Sequence, residues 1–182
     1  MNFLYTLRIL GILLMFFSTA QLFPASVAYY FQEYSLIKVF FNTLLATFLC
    51  GFLLYILSAT RKEDLRTKDG FIITVLFWTV LSIFGSFPLF FAEDINISYI
   101  DALFESISGL TTTGATVLTG LDDLPRSLLF YRQLLQWLGG MGIIVLAVAV
   151  LPLLGIGGMQ LYKTETPGPL KDSKLTPRIT ET

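Results

Sequence analysis

The chain has 182 residues, is 54% apolar with a mean hydropathy of +0.72, and carries a net charge of −1. That balance lacks the basic excess with which proteins hold nucleic acid. With no histidine and a single cysteine, Cys50, it also excludes zinc sites, disulfide frameworks and histidine acid–base chemistry.

Charge-free stretches organise the chain: 9–32 (24 residues), 39–60 (22), 71–92 (22), 106–121 (16) and 133–162 (30). A spanning helix needs roughly 20 mostly apolar residues. Four stretches reach that length and 106–121 does not. The first, preceded by Arg8, is long for a signal peptide and shows no clear small-residue cleavage site. It reads as a retained helix whose end is marked by Phe23-Pro24, and a helix–helix contact or the membrane interface can accommodate its Ser18, Thr19 and Gln21. Cys50 lies within the second run as an inert packing residue. The last run is longer than a span requires, and Pro152 with Gly155, Gly157 and Gly158 predicts a kink or break there. Near its start, Gly139, Gly140 and Gly142 permit close approach of another helix, or a hinge.

Lys and Arg in short loops mark the cytoplasmic side. With four spans and an interior N-terminus, nine basic residues lie inside (Arg8, Arg61, Lys62, Arg66, Lys68, Lys163, Lys171, Lys174, Arg178) and three outside (Lys38, Arg126, Arg132). Arg132 then reads as an interfacial anchor. If 106–121 also crossed, the C-terminal tail would move outside and reverse the bias, so this segment is expected to enter and leave on one face. Glu93, Asp94, Asp101, Glu105, Asp122 and Asp123 bracket it on the outer side. They form either a solvated acidic loop or a field that favours an approaching cation.

Ser98 and Asp101 have the spacing of an N-terminal helix cap. A helix from there to Leu110 would be roughly 18 Å long, about half of a hydrocarbon core near 30 Å. Its negative C-terminal end would lie at membrane depth, where it favours a cation. Next comes Gly109-Leu110-Thr111-Thr112-Thr113-Gly114-Ala115-Thr116. A threonine run is a poor helix former, and Gly114 opens backbone angles closed to other residues. Irregular backbone at that depth is tolerated only inside protein or against a watery cavity. An ion filter meets that condition: carbonyl and hydroxyl oxygens replace the water of a potassium ion without a charged ligand. A threonine-rich turn with a capping glycine is the alternative.

The segments 109–116 and 130–144 (Phe-Tyr-Arg-Gln-Leu-Leu-Gln-Trp-Leu-Gly-Gly-Met-Gly-Ile-Ile), with Gly157-Gly-Met-Gln-Leu-Tyr162 and Pro167-Gly-Pro-Leu-Lys171, strongly resemble the TrkH potassium-uptake proteins of bacteria, in the Trk/Ktr/HKT superfamily. The resemblance covers essentially the whole chain and is densest from Asp101 to Lys171. It implies an all-α integral membrane protein with two extra N-terminal helices (about 4–31 and 36–59) and one helix–pore loop–helix repeat. In that repeat 71–91 is the outer helix, 98–110 the pore helix and 134–154 the inner helix. The implied divisions are 1–68, 69–160 and a cytoplasmic connector at 161–182.

By the same resemblance, Thr111, Thr112, Thr113 and Gly114 carry over as potassium ligands. It also implies a filter shorter and less selective than that of tetrameric potassium channels. Implied partners are the bilayer, a second copy in a homodimer, and a cytosolic nucleotide-binding ring of TrkA type. No covalent cofactor is implied; potassium is the substrate, and the location is the bacterial inner membrane. The family surrounds its pore with four such repeats, whereas this chain holds one Thr-Thr-Thr-Gly segment. It is therefore expected to be part of a longer protein, with one quarter of the filter. The alternatives are a small structural or assembly subunit and an intramembrane enzyme; the second is disfavoured because no spanning run holds an ionisable acid–base residue.

Overall fold

The computed structural model describes residues 3–58 and 67–153. Arg61, Lys62 and Arg66, the glycines after Pro152 and the 161–182 connector lie outside them. The described residues form six helices and no strand: α1 (Phe3–Ala20), α2 (Leu22–Tyr30), α3 (Tyr34–Leu57), α4 (Thr67–Phe90), α5 (Tyr99–Leu110) and α6 (Arg126–Leu153), with a 3-10 turn at Leu121–Asp123.

The expected first span is present but divided. Gln21 interrupts the helix, and Pro24 does not end it. Pro24 instead occupies the first turn of α2, where its missing N–H would have lacked an intrahelical partner. Together the two pieces, Thr6–Tyr30, are long and apolar enough to cross a membrane, as is Tyr34–Leu57. The 24 residues of α4 and 28 of α6 are about 36 and 42 Å long. Pro88 lies inside α4, so that helix forgoes one backbone bond near its end.

α1 and α3 run antiparallel, and small and polar residues meet along the seam. A Cβ built on Gly11 would lie 2.5 Å from the Gly51 carbonyl oxygen, and one on Gly51 2.7 Å from that of Gly11. The two backbones therefore touch, the close packing by which helices associate where lipid supplies no hydrophobic drive. One end of the seam holds buried Gln21, whose Oε1 accepts from the Thr43 hydroxyl at 2.7 Å. Ser18 is also buried and Thr19 exposed, so the helix–helix contact takes up two of this polar trio and leaves Thr19 on the outer surface of the helix pair. At the other end Arg8 donates to the Tyr55 hydroxyl (3.1 Å) and its guanidinium lies 4.7 Å from that ring's centre.

α6 begins at Arg126, eight residues before the expected 134. The charge-free run starts only after Arg132, so nothing in the apolar pattern marks the earlier start. In three dimensions a carboxylate from elsewhere starts the helix: Glu33, between α2 and α3, accepts from the Arg126 N–H (2.7 Å), the Ser127 N–H (3.1 Å) and the Ser127 hydroxyl. Orphan first-turn donors are thus paired with a negative charge at the positive end of the helix. The expected break at Pro152 coincides with the end of the described residues.

α3, α5 and α6 start from a common end, while α1, α2 and α4 run toward it. One buried cluster joins both halves of the chain, including Leu14, Phe17, Leu36, Phe40, Leu89, Ala102, Leu110, Tyr131 and Leu135. Tyr131 is central: its ring meets Phe40 edge-on at 5.5 Å, and its hydroxyl donates to the Gly85 carbonyl at 2.8 Å. Replacing Glu33 with alanine removes the cap linking the N-terminal helices to α6. We expect Glu33→Ala to cost about 1–2 kcal/mol, read as a lower melting temperature in detergent; an unchanged melting temperature would refute the capping role.

Candidate ion-filter segment

The loop 111–125 returns to the end from which α5 departs. Tyr99, opening α5, packs on Phe90 at the close of α4 (ring centres 5.5 Å apart). The 3-10 turn then leads into Arg126 beside Glu33. The segment enters and leaves at one end of the bundle, as the distribution of basic residues predicts. Ser98 caps α5 as expected, accepting from the Asp101 N–H at 3.2 Å. In return the Asp101 carboxylate accepts from the Ser98 hydroxyl (2.7 Å).

Two close approaches set the depth of α5. A Cβ on Gly109 would lie 3.0 Å from Cβ of Leu135, and one on Gly139 only 2.1 Å from the Leu110 carbonyl oxygen. The C-terminal end of α5 therefore rests on bare backbone of α6, thirteen residues into that helix, or about 20 Å along it. Of the Gly139, Gly140 and Gly142 group, Gly139 makes this contact. One turn earlier on α5, Ser106 lies against Gly85 of α4.

After Leu110 the helix gives way. Thr111 is its C-cap, Thr112 has φ of 57° and Gly114 has φ of 74°. Left-handed angles at alternate residues are permitted to Gly114 but are an outlier for a β-branched threonine, a strain of order 1–3 kcal/mol that persists only where the surroundings impose it. The imposing contacts are visible. The N–H groups of Thr111, Thr112, Thr113 and Gly114 donate back to Ile107 (2.8 Å), Gly109 (2.9 Å) and, for the last two, Ser108 (3.0 and 3.3 Å). The Thr111 hydroxyl donates to the Ile107 carbonyl (2.8 Å), so the Thr113 hydroxyl 2.8 Å away must donate to Thr111. By contrast, no hydrogen bond among the described residues ends on the carbonyls of these four residues. All four are exposed. Donors are consumed by the helix and acceptors are left without partners, the asymmetry a cation site requires.

The bare run stops at Gly114, because the Ala115 carbonyl accepts from the Ser108 hydroxyl at 2.6 Å. The limb that follows is held by Glu105. This carboxylate is 3% exposed and accepts from the Thr116 hydroxyl (2.6 Å) and the Val117 N–H (2.7 Å) through Oε1, and from Arg132 Nε (2.8 Å) through Oε2. Two expectations are corrected here. Glu105 is not part of an outer acidic fringe, although Glu93, Asp94, Asp122 and Asp123 are exposed. Arg132 is not an interfacial anchor: it is 9% exposed and paired to Glu105. A signal was available, since a carboxylate seven residues into a pore helix is at a depth where charges occur paired. Gly139→Ala is expected to force α5 and α6 apart, with a loss of about 1–3 kcal/mol. Equal melting temperatures for the variant and the parent would show that Leu110 does not rest on this glycine.

The model of the TrkH cation transport protein family matches residues 36–182. The Trk system potassium uptake protein TrkH of Vibrio parahaemolyticus is 55% identical over the whole chain, and that of Escherichia coli K12 is 52% identical over the whole chain. The chain spans about 37% and 38% of the lengths of these two relatives. The crystal structure of the potassium transporter TrkH from V. parahaemolyticus superimposes with a TM-score of 0.81 at 51% identity, over 90% of this chain and 35% of that one. On this likeness of sequence and fold, the chain belongs to the TrkH family of cation transport proteins.

Proposed function

We propose that the chain is the N-terminal part of a potassium-uptake protein of the inner membrane and that Thr111, Thr112, Thr113 and Gly114 form one quarter of its filter. In this reading 1–68 supplies two extra helices, 69–160 the first helix–pore loop–helix repeat and 161–182 a cytoplasmic connector. The observation that carries it is the polarity of residues 111–114, four exposed residues whose N–H groups are spent on the pore helix while their carbonyls accept no hydrogen bond among the described residues. A dehydrated potassium ion needs a ring of such oxygens, and three further repeats would complete the ring. The names of the relatives support potassium as cargo. The nine-to-three distribution of basic residues supports a cytoplasmic N-terminus and tail. The complete protein works as a homodimer with a cytosolic TrkA-type nucleotide-binding ring, and it conducts ions without enzymatic chemistry.

Gly114 is the residue to test. A Cβ there would meet no atom nearer than Gln136 Nε2 at 3.7 Å, so the constraint is its φ of 74° and not space. A side chain in that region costs about 1–2 kcal/mol, which the loop can relieve by turning the peptide and its carbonyl away. In a full-length transporter carrying this segment, Gly114→Ser is expected to weaken the preference for potassium over sodium about tenfold, measured as an uptake ratio in proteoliposomes. An unaltered ratio would remove Gly114 from the filter. The 182-residue chain reconstituted without other repeats is expected to give no uptake, since one repeat cannot surround an ion. Potassium flux through it would overturn the one-quarter reading.

A further inference from the structure

Behind the proposed filter lies a buried ion pair whose placement exceeds what packing needs. Glu105 and Ser108 are three residues apart and so share a face of α5. The limb leaving the filter runs back along that face: Ser108 binds the Ala115 carbonyl, and Glu105 binds the Thr116 hydroxyl and the Val117 N–H. Arg132 brings α6 onto the same carboxylate. One side chain therefore joins three separate elements, the pore helix, the outgoing limb and the inner helix.

The physical need follows from the bare carbonyls. A segment that keeps its acceptors free on one side has no partner strand or helix there to hold it. It must be held from behind, and by strong bonds. Hydrogen bonds to a carboxylate are about twice as strong as neutral ones, but a buried carboxylate is costly unless it is itself paired. Arg132 meets that requirement. It also ties the position of the limb to α6 and not to α5 alone.

We propose that Glu105, whose burial Arg132 makes tolerable, positions the outgoing limb and thereby sets ion discrimination at Gly114, making Glu105 a positioning residue for selectivity. This rests on reading Thr111, Thr112, Thr113 and Gly114 as filter. The field an ion meets depends on where the carbonyls are held, so a limb freed at Thr116 and Val117 lets the Gly114 peptide turn.

The test uses a full-length transporter in which residues 1–182 replace the equivalent part of the V. parahaemolyticus protein. The readouts are amount in the membrane, melting temperature and the potassium-to-sodium uptake ratio. Removing one partner of a buried pair destabilises strongly, whereas replacing both with apolar residues is often tolerated. The Glu105→Leu, Arg132→Met double variant is therefore expected to assemble yet lose about tenfold in the ratio, the size of one or two charge-assisted bonds. The Glu105→Gln, Arg132→Met double variant keeps an acceptor for the limb and is expected to restore most of the ratio. The milder Thr116→Val, at an exposed position, should lower the ratio about threefold.

An assembled Leu/Met variant with an unaltered ratio overturns the proposal, as does a Gln/Met variant that loses as much. If the Leu/Met variant does not assemble, Thr116→Val decides: an unaltered ratio overturns the proposal and a reduced one supports it. Gly114→Ser, measured alongside, separates the two readings. No change there removes the filter reading itself; a change there with none at Glu105, Arg132 and Thr116 removes only the positioning role.

Discussion

Backbone carbonyls left without hydrogen-bond partners are the feature around which the described structure is arranged. In a bilayer an unpaired carbonyl is expensive unless protein or water covers it. A segment presenting four of them in a row, Thr111 to Gly114, has to have every other demand met from its opposite side. The pore helix meets most of them: carbonyls of Ile107, Ser108 and Gly109 take the four N–H groups, and the Ser108 hydroxyl closes the run at Ala115. Left-handed angles at Thr112 and Gly114 are the conformational consequence. They are held by these bonds, since a β-branched residue would not adopt such an angle unaided.

The helices around this segment supply depth and rigidity through small residues. Gly139 lets the last carbonyl of α5 rest on the α6 backbone, and Gly85 makes room for Ser106. The N-terminal helices use the same device at Gly11 and Gly51. They are joined to the pore-loop repeat by the Glu33 cap on α6 and by Phe40 against Tyr131. α6 consequently receives contacts from both halves of the chain, at its first turn from Glu33 and one turn later from Phe40 and Glu105. Movement of α6 would thus be felt at Glu105 and at the limb it holds.

Several elements were legible in the residues because they rest on local chemistry. Long apolar runs mark the spanning helices, since bilayer thickness sets their length. Ser98 and Asp101 announce the start of α5, and the threonine run with Gly114 announces its end. The misplaced boundaries arose where a distant residue acts. α6 starts at Arg126 because Glu33, 93 positions earlier, pairs its first donors. The division of the first span falls at Gln21, whose amide finds Thr43 on another helix, while Pro24, the obvious local breaker, is absorbed into a first turn.

The one-face entry of the pore loop could be inferred from the count of basic residues, because that bias acts on whole loops and needs no contact map. The threonine–glycine segment likewise stood out by composition. Charge assignments at Glu105 and Arg132 could not be settled that way. Read along the chain they are 27 residues apart, one in an acidic stretch and one at the edge of an apolar run, and each has an ordinary explanation on its own. Folding α5 against α6 buries both and makes each the condition for the other, because a charge out of water must find its partner wherever the backbone brings it.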